Sequence, residues 1–366
     1  MFSAADHEFM ARALRLAERG LYSTSPNPRV GCVLVKDGVV VGEGWHERAG
    51  EAHAEVHALR AAGEAACGAT AYVTLEPCSH HGRTPPCAEA LIAARVARVV
   101  AAMQDPNPLV AGRGMALLEQ AGIVAESGLM ESEARELNIG FVSRMTCGRP
   151  WVRLKLAASL DGKTALENGV SQWITGPAAR QDGHRWRARA CAILSGIGTV
   201  REDDPRFNVR GLPTERQPLK VVLDSRLELR PVAKVCEDGN LLVATAVEDV
   251  ERYEALRARG AEVVCLPAAD GRVDLSAVLG ELGRRGINEV HVEGGARLNG
   301  ALVAAGLVDE LLLYLAPCLL GDVARGMFGL PALQSLENKS RLAIRDARMV
   351  GDDLRILARF VPSVQG

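Results

Sequence analysis

No apolar run in the sequence reaches the length needed to span a bilayer, and no membrane attachment is expected. The opening segment, MFSAADHEFMARALRLAERG, lacks a basic start, an apolar block and a small-residue cleavage site. It is read as an amphipathic helix, not a signal peptide. There is no block of like charge either: 43 Lys and Arg against 45 Asp and Glu leave a formal net charge of −2. A dedicated nucleic-acid binder carries a basic face, so a polynucleotide partner is not expected, although a local basic groove stays open. Repeats and low-complexity tracts are absent. Aromatic residues make up only 4%, and most such side chains pack in a core. Cysteine is not scarce, but its nine copies are odd in number and scattered from Cys32 to Cys318. A secreted disulfide framework is denser and usually even, so the expected setting is the cytoplasm, with reduced thiols.

What is present is enough chain for two cores: 366 residues, 48% apolar and 24% charged. Phe9, Met10, Ala13, Leu14 and Ala17 recur near a 3.6 period, with Gly20 as a stop. VGCVLV and VVVGEG around KDG read as a hairpin. A helix over residues 52–62, a strand at TAYVTLE, a helix at CAEALIAARV, a strand at ARVVAAM, and a further helix and strand at GMALLEQAG and IVAES follow. A second unit opens near Gly148-Arg149-Pro150, giving expected domains 1–147 and 148–366. Its strands are expected at PWVRLKLAASLDG, CAILSGIGTV, PLKVVLDS, NLLVATA, AEVVCL, NEVHVEGG and DELLLYLAP, with SQWITG as a short extended piece and PAARQDGHRWRARA as a helix. Both halves are α/β, each a sheet with helices on its faces.

The stretch EPCSHHGRTPPC raises a chemical question, because Cys78 and Cys87 flank a proline-rich loop downstream of His53-Ala54-Glu55. One imidazole and two thiolates make a three-ligand zinc site with a fourth position left for water. Zinc brings the pKa of water toward neutrality. Glu55, two residues from His53, reaches that water as a proton shuttle without being a ligand. The order H-x-E then P-C then Cys matches zinc-dependent base deaminases, except that eight residues separate the cysteines where the usual signature has two. Each cysteine also starts an apparent helix, whose N-terminus favours thiolate. Buried inert thiols are the commoner use of cysteine; the stiff loop and the upstream H-x-E outweigh that reading. His57 is read as a packed neighbour, His80 and His81 as loop residues near substrate, and His7 and His184 as ordinary surface or helix residues.

SPNPRVGCVLV, HAE at 53–55, LEPCSHHGRTPPC and DPNPLVAGRG resemble the deaminase half of the bifunctional riboflavin-biosynthesis deaminase–reductases. RLKLAASLDGKTA, SQWITG, SGIGTV with REDDPRFNVR, VVLDS and VEGGARLNGAL resemble the reductase half. The resemblance runs from about residue 5 to about residue 360. It implies a cytidine-deaminase-like three-layer α/β domain followed by a dihydrofolate-reductase-like α/β domain. The implied reactions are zinc-dependent hydrolytic deamination of 2,5-diamino-6-ribosylamino-4(3H)-pyrimidinone 5′-phosphate, then NADPH-dependent reduction of its ribosyl group to ribityl. It carries over Ala157, Trp173, Thr199, Asp203, Ser225, Gly294, Gly295, Ala296, Arg297 and Leu298 as cofactor contacts. Ser171, Arg187, Phe207, Arg210 and Glu293 carry over as substrate contacts, and Asn27, His46 and Arg83 as candidates in the deaminase pocket.

Elementary chemistry speaks to some of these. The glycines of VEGGARLNG, between a strand and a helix, let backbone N–H groups approach phosphate; a plain tight turn explains them equally. Arg187 and Arg210 suit bidentate phosphate binding, against a reading as solvated charge, which is the reading given to Arg189. Trp173 is either a ligand contact or core. Asp105 and Asn107 equally form the DPNP turn. Lys155 and Asp203 are alternative proton donors for the reductase, and Arg226 is placed to meet a 2′-phosphate. A nucleotide or nucleic-acid deaminase with an accessory nucleotide-binding domain, and a fusion whose zinc is structural, are the rival readings. A homo-oligomer is left open.

Overall fold

The computed structural model describes residues 1–79, 85–108 and 110–361. The chain divides into two compact units, Met1–Gly148 and Arg149–Gly366. No helix among the described residues is long and apolar enough to cross a membrane.

The first unit is one five-stranded sheet with helices packed on it. In chain order its elements are α1 (Ala4–Glu18), β1 (Gly31–Lys36), β2 (Val39–Trp45), α2 (Ala54–Ala62), β3 (Thr70–Val73), α3 (Cys87–Ala93), β4 (Arg98–Ala101), α4 (Arg113–Gln120), β5 (Val124–Ser127), α5 (Glu131–Leu137) and α6 (Ile139–Cys147). The sheet order is β2-β1-β3-β4-β5. β1 pairs antiparallel with β2 and β3, whereas β3, β4 and β5 run parallel. Ser3 caps α1 in a reciprocal box with Asp6, and the apolar stripe Met10, Ala13, Leu14 and Ala17 is buried. The expected helix, hairpin and alternating elements are all present; α5 and α6 have no counterpart in the sequence reading.

Two glycines of β2 decide where α2 lies. A Cβ at Gly42 would sit 2.3 Å from Ala58 O, and one at Gly44 would sit 2.4 Å from His57 Cβ and 2.8 Å from Ala54 O. The helix therefore rests directly on the strand backbone, and its first turn, which carries Glu55, is fixed against the sheet.

The second unit holds β6 (Trp151–Ser159), β7 (Lys163–Ala165), α7 (Pro177–Arg189), β8 (Ala192–Gly196), α8 (Ile197–Asp203), β9 (Leu219–Leu223), β10 (Leu241–Thr245), α9 (Val250–Arg257), β11 (Ala261–Cys265), α10 (Leu275–Arg284), β12 (Glu289–Val292), α11 (Ala296–Ala304), β13 (Glu310–Ala316), β14 (Arg325–Gly326), β15 (Leu342–Val350) and β16 (Asp353–Phe360). Nine strands form one sheet in the order β11-β10-β9-β8-β12-β6-β13-β16-β15. It is parallel from β11 to β13 and antiparallel through β16 and β15. Successive residues of β8 to β10 enter different cores: Leu194, Val221 and Leu242 one, Ile193, Val222 and Val243 another. Both faces are thus covered, which is why these strands read as unbroken apolar runs.

Three expectations in this unit are corrected. SQWITG is a series of turns, not an extended piece. CAILSGIGTV is a strand only to Gly196, where the chain turns into α8. The β15–β16 hairpin was not foreseen; β15 lies at a sheet edge and is largely exposed, so it carries little of the apolar alternation on which strand reading depends.

Candidate functional sites

In the first unit three elements bring the metal-type side chains together. His53 is the N-cap residue of α2, Cys87 opens α3, and Cys78 follows β3 through Pro77. One ligand-type atom from each lies within 4.8 Å of the others. His53 Nδ1 is 3.2 Å from Cys87 Sγ and 3.6 Å from Cys78 Sγ, and the Cys87 backbone N–H donates to Cys78 Sγ at 3.2 Å. The Cys87 thiol hydrogen-bonds to Cys78, and with help from His53 this holds Cys78 below an ordinary thiol. Cys87, as the proton holder of the pair, is pushed up. A set of one imidazole and two sulfurs fits Zn²⁺.

Glu55, in the first turn of α2, is 3% exposed. Burial lifts its carboxyl to about 7, against the pull of its own backbone N–H and of His53. Beside it, His46 stacks edge-on to His53, ring centres 5.3 Å apart. Its Nδ1 donates to Ala52 O and its Nε2 accepts from the Asn27 amide, both at 3.1 Å. Burial lowers the pKa of His46. Asn27 and His46 thus form one hydrogen-bonded pair against the metal-type cluster. Arg83, His80 and His81 lie outside the described residues. His57, the packed neighbour, has its Cβ against Gly44.

The second unit has a cleft of about 1600 Å³. It opens where the ends of β8, β9 and β12 meet, the crevice outside the carboxyl ends of parallel strands where open α/β sheets bind ligands. Every reductase residue singled out in the sequence lines it. Ala157, Trp173, Thr199, Asp203 and Ser225 are there with Gly294, Gly295, Ala296, Arg297 and Leu298; so are Ser171, Arg187, Phe207, Arg210, Glu293, Lys155 and Arg226. Gly295 is the N-cap of α11 and gives no side-chain cap, so the N–H groups that open this helix are free to meet an anion.

Arg187 donates from Nε and Nη2 to the two oxygens of Glu293, at 2.5 and 2.7 Å, and from Nη1 to Asn208 O. Burial opposes ionisation of Glu293, but Arg187 wins and holds it well below the usual carboxylate range. Lys155 reaches the cleft from β6, and burial lowers its pKa. Burial, then Glu202, raises that of Asp203. Trp173 is 69% exposed, with the Arg180 guanidinium 4.5 Å over its ring, so it is not core. Phe207 combines burial with a φ of 47°, a strained conformation for a bulky side chain. Arg189, read as solvated charge, instead pairs with buried Glu289.

Two residues escaped the sequence reading. His184, on α7, accepts the Arg210 backbone N–H at Nδ1, and burial followed by Arg187 and Arg210 lowers it to about 4. Only its place one turn before Arg187 hinted at this. Glu76 is 5% exposed and takes backbone N–H groups from Asp105, Gly112, Gly114 and Met115. An acidic residue closing an apolar strand was the available signal.

Comparison with known proteins covers both units. Residues 3–103 match the family described as the cytidine and deoxycytidylate deaminase zinc-binding region, and residues 150–355 match the RibD C-terminal domain. The riboflavin biosynthesis protein RibD of Escherichia coli is 52% identical over 95% of this chain and 98% of its own. That of Bacillus amyloliquefaciens is 44% identical over 96% and 95%. Among solved structures, Acinetobacter baumannii RibD aligns with a TM-score of 0.92 at 45% identity, over 98% of this chain and 99% of that one. A Thermotoga maritima protein, described as a diaminohydroxyphosphoribosylaminopyrimidine deaminase/5-amino-6-(5-phosphoribosylamino)uracil reductase, aligns with a TM-score of 0.87 at 32% identity, over the same shares. A cytidine-deaminase-like unit carrying the H-x-E and cysteine cluster, followed by a reductase unit of dihydrofolate-reductase-like fold, places the chain in the RibD family, the bifunctional deaminase–reductases of riboflavin biosynthesis.

Proposed function

We propose that the first unit hydrolyses the amino group from 2,5-diamino-6-ribosylamino-4(3H)-pyrimidinone 5′-phosphate, releasing ammonia, and that the second reduces the ribosyl group of the product to ribityl with NADPH. The observation that carries this reading is the convergence of His53, Cys78 and Cys87 within 4.8 Å, with Glu55 buried beside them. Zinc, when bound, supplies a Lewis acid that brings water close to ionisation at neutral pH. Glu55, buried beside the three ligand-type side chains, takes the proton from the attacking water and hands it to the departing amine. His46 and Asn27 hold the pyrimidine.

In the second unit NADPH supplies the hydride. Gly295, Ala296, Arg297 and Leu298 present the N-terminus of α11 to its phosphates, and Ala157, Trp173, Thr199, Asp203 and Ser225 complete the cofactor's contacts. Ser171, Arg187, Phe207, Arg210 and Glu293 hold the sugar phosphate. Lys155 delivers the proton in preference to Asp203, because its electrostatic partners are Glu293 and Arg187 of the substrate end, whereas Asp203 feels Glu202. A small-molecule substrate suits a chain of net charge −2, and nine free cysteines suit a reducing cytoplasm.

The test is a dual assay on the full chain supplied with the diaminopyrimidine phosphate, zinc and NADPH. Ammonia release followed by NADPH oxidation is expected. Cys78→Ser should abolish the first and leave the second intact when deaminated substrate is given. Deamination without NADPH consumption would remove the reductase assignment.

A further inference from the structure

Residues 204–210 follow α8 at the edge of the cleft without forming a strand or helix, and side chains hold their backbone where a ladder would otherwise do so. Arg187 Nη1 donates to Asn208 O at 3.1 Å. Gln217 accepts the Val209 N–H at 2.8 Å and donates to Val209 O at 3.3 Å. His184 Nδ1 accepts the Arg210 N–H at 3.3 Å. His184 and Arg187 stand three residues apart on α7, so one helix face carries two of the pins. An imidazole that accepts at Nδ1 is neutral and keeps its proton on Nε2. Burial, then the neighbouring Arg187 and Arg210, lowers His184 to about 4 against the pull of Glu293, with Lys155 adding to the fall. The acceptor therefore persists at neutral pH. Arg210 itself lines the cleft, and its guanidinium makes no ion pair among the described residues. The Arg187 guanidinium, by contrast, is engaged by Glu293 and Asn208. The uncommitted guanidinium is the one better able to take a phosphate.

We propose that His184 is a positioning residue for the reduction: by accepting the Arg210 N–H it holds the 207–210 segment so that the Arg210 guanidinium meets the substrate's phosphate. The proposal rests on the reductase reading given above. The test follows NADPH oxidation by the full chain with the deaminated phosphate and with the same compound lacking its phosphate. His184→Leu removes the acceptor at similar bulk. Its KM for the phosphate should rise roughly tenfold, the loss of about one net hydrogen bond, with a smaller change in kcat. KM for the dephosphorylated compound should hold, and so should KM for NADPH, the folding control within the same unit. His184→Asn sets an amide oxygen near the place of Nδ1 and should restore most of the affinity for the phosphate. An equal loss with both compounds would assign His184 to packing of the unit. An unchanged KM in the leucine variant would show that Arg210 needs no such support. An asparagine variant as weak as the leucine one would show that the acceptor is not what matters. If neither variant folds, the ¹⁵N signals of the wild-type imidazole decide: Nδ1 should be unprotonated and Nε2 protonated at neutral pH, and a protonated Nδ1 counts against the proposal as the other three results do. Wild-type chain that oxidises no NADPH would instead overturn the reductase reading itself.

Discussion

Glu55→Gln separates the cost of a buried charge from its use. In the zinc-free protein, burial raises the Glu55 carboxyl from its ordinary 4.5 to about 7. That rise corresponds to roughly 3 kcal/mol for keeping the group ionised. The folded chain binds the proton more tightly than the unfolded chain, so the cost is absent below pH 4.5, grows as pH rises and is complete above about 7. Gln is neutral throughout. The first unit of the zinc-free variant should therefore be about 3 kcal/mol more stable than wild type at pH 8, and the difference should fall below about 1 kcal/mol at pH 5. Hydrogen exchange of the β1 and β3 amides in chelator-treated full-length protein reads this unit alone. Exchange should be roughly a hundredfold slower in the variant at pH 8, with the gap nearly closed at pH 5. The zinc-loaded variant should retain its metal and lose about 10²–10⁴-fold in deamination, with the reductase untouched. Equal exchange at pH 8, or deamination at the wild-type rate, would refute the reasoning.

Two further outcomes are expected in the second unit. Arg187→Ala strips Glu293 of its bidentate partner while the carboxylate stays largely buried. Thermal or urea unfolding should show a loss of about 2–3 kcal/mol, and KM for the deaminated phosphate should rise while the deaminase KM holds. Arg226 lines the cleft, and its guanidinium makes no ion pair among the described residues. Arg226→Ala should weaken calorimetric binding of adenosine 2′,5′-bisphosphate by about tenfold, the worth of one charge-assisted contact, and leave adenosine 5′-monophosphate unaffected.

The zinc-type site was legible because its chemistry is written in short stretches. HAE and the proline-flanked cysteines state residue types and order, and α2, β3 and α3 needed only to exist for His53, Cys78 and Cys87 to meet. The reductase residues are spread from Lys155 to Leu298, and no spacing rule joins Arg187 to Glu293 across 106 positions. Family resemblance supplied that list; the parallel strand ends then bring its members to one cleft. Glu76 and His184 stayed hidden because their partners are backbone groups, which every sequence contains everywhere. The exposed β15 escaped for a related reason: an edge strand facing solvent needs no apolar code.

The seating of α2 on bare glycines has one more consequence. At Gly31 of β1, too, a Cβ would meet Ala13 O at 2.0 Å, so α1 is seated the same way; where side chains do cushion helix from strand, a change of volume in the core can be absorbed by small shifts. Between β2 and α2 there is no such padding, so the distance is set by peptide against peptide. Core residues can therefore drift in size without detuning the geometry of His53 and Glu55, but a single added methyl at Gly42 or Gly44 would lift the whole mount and shift the Glu55 carboxyl.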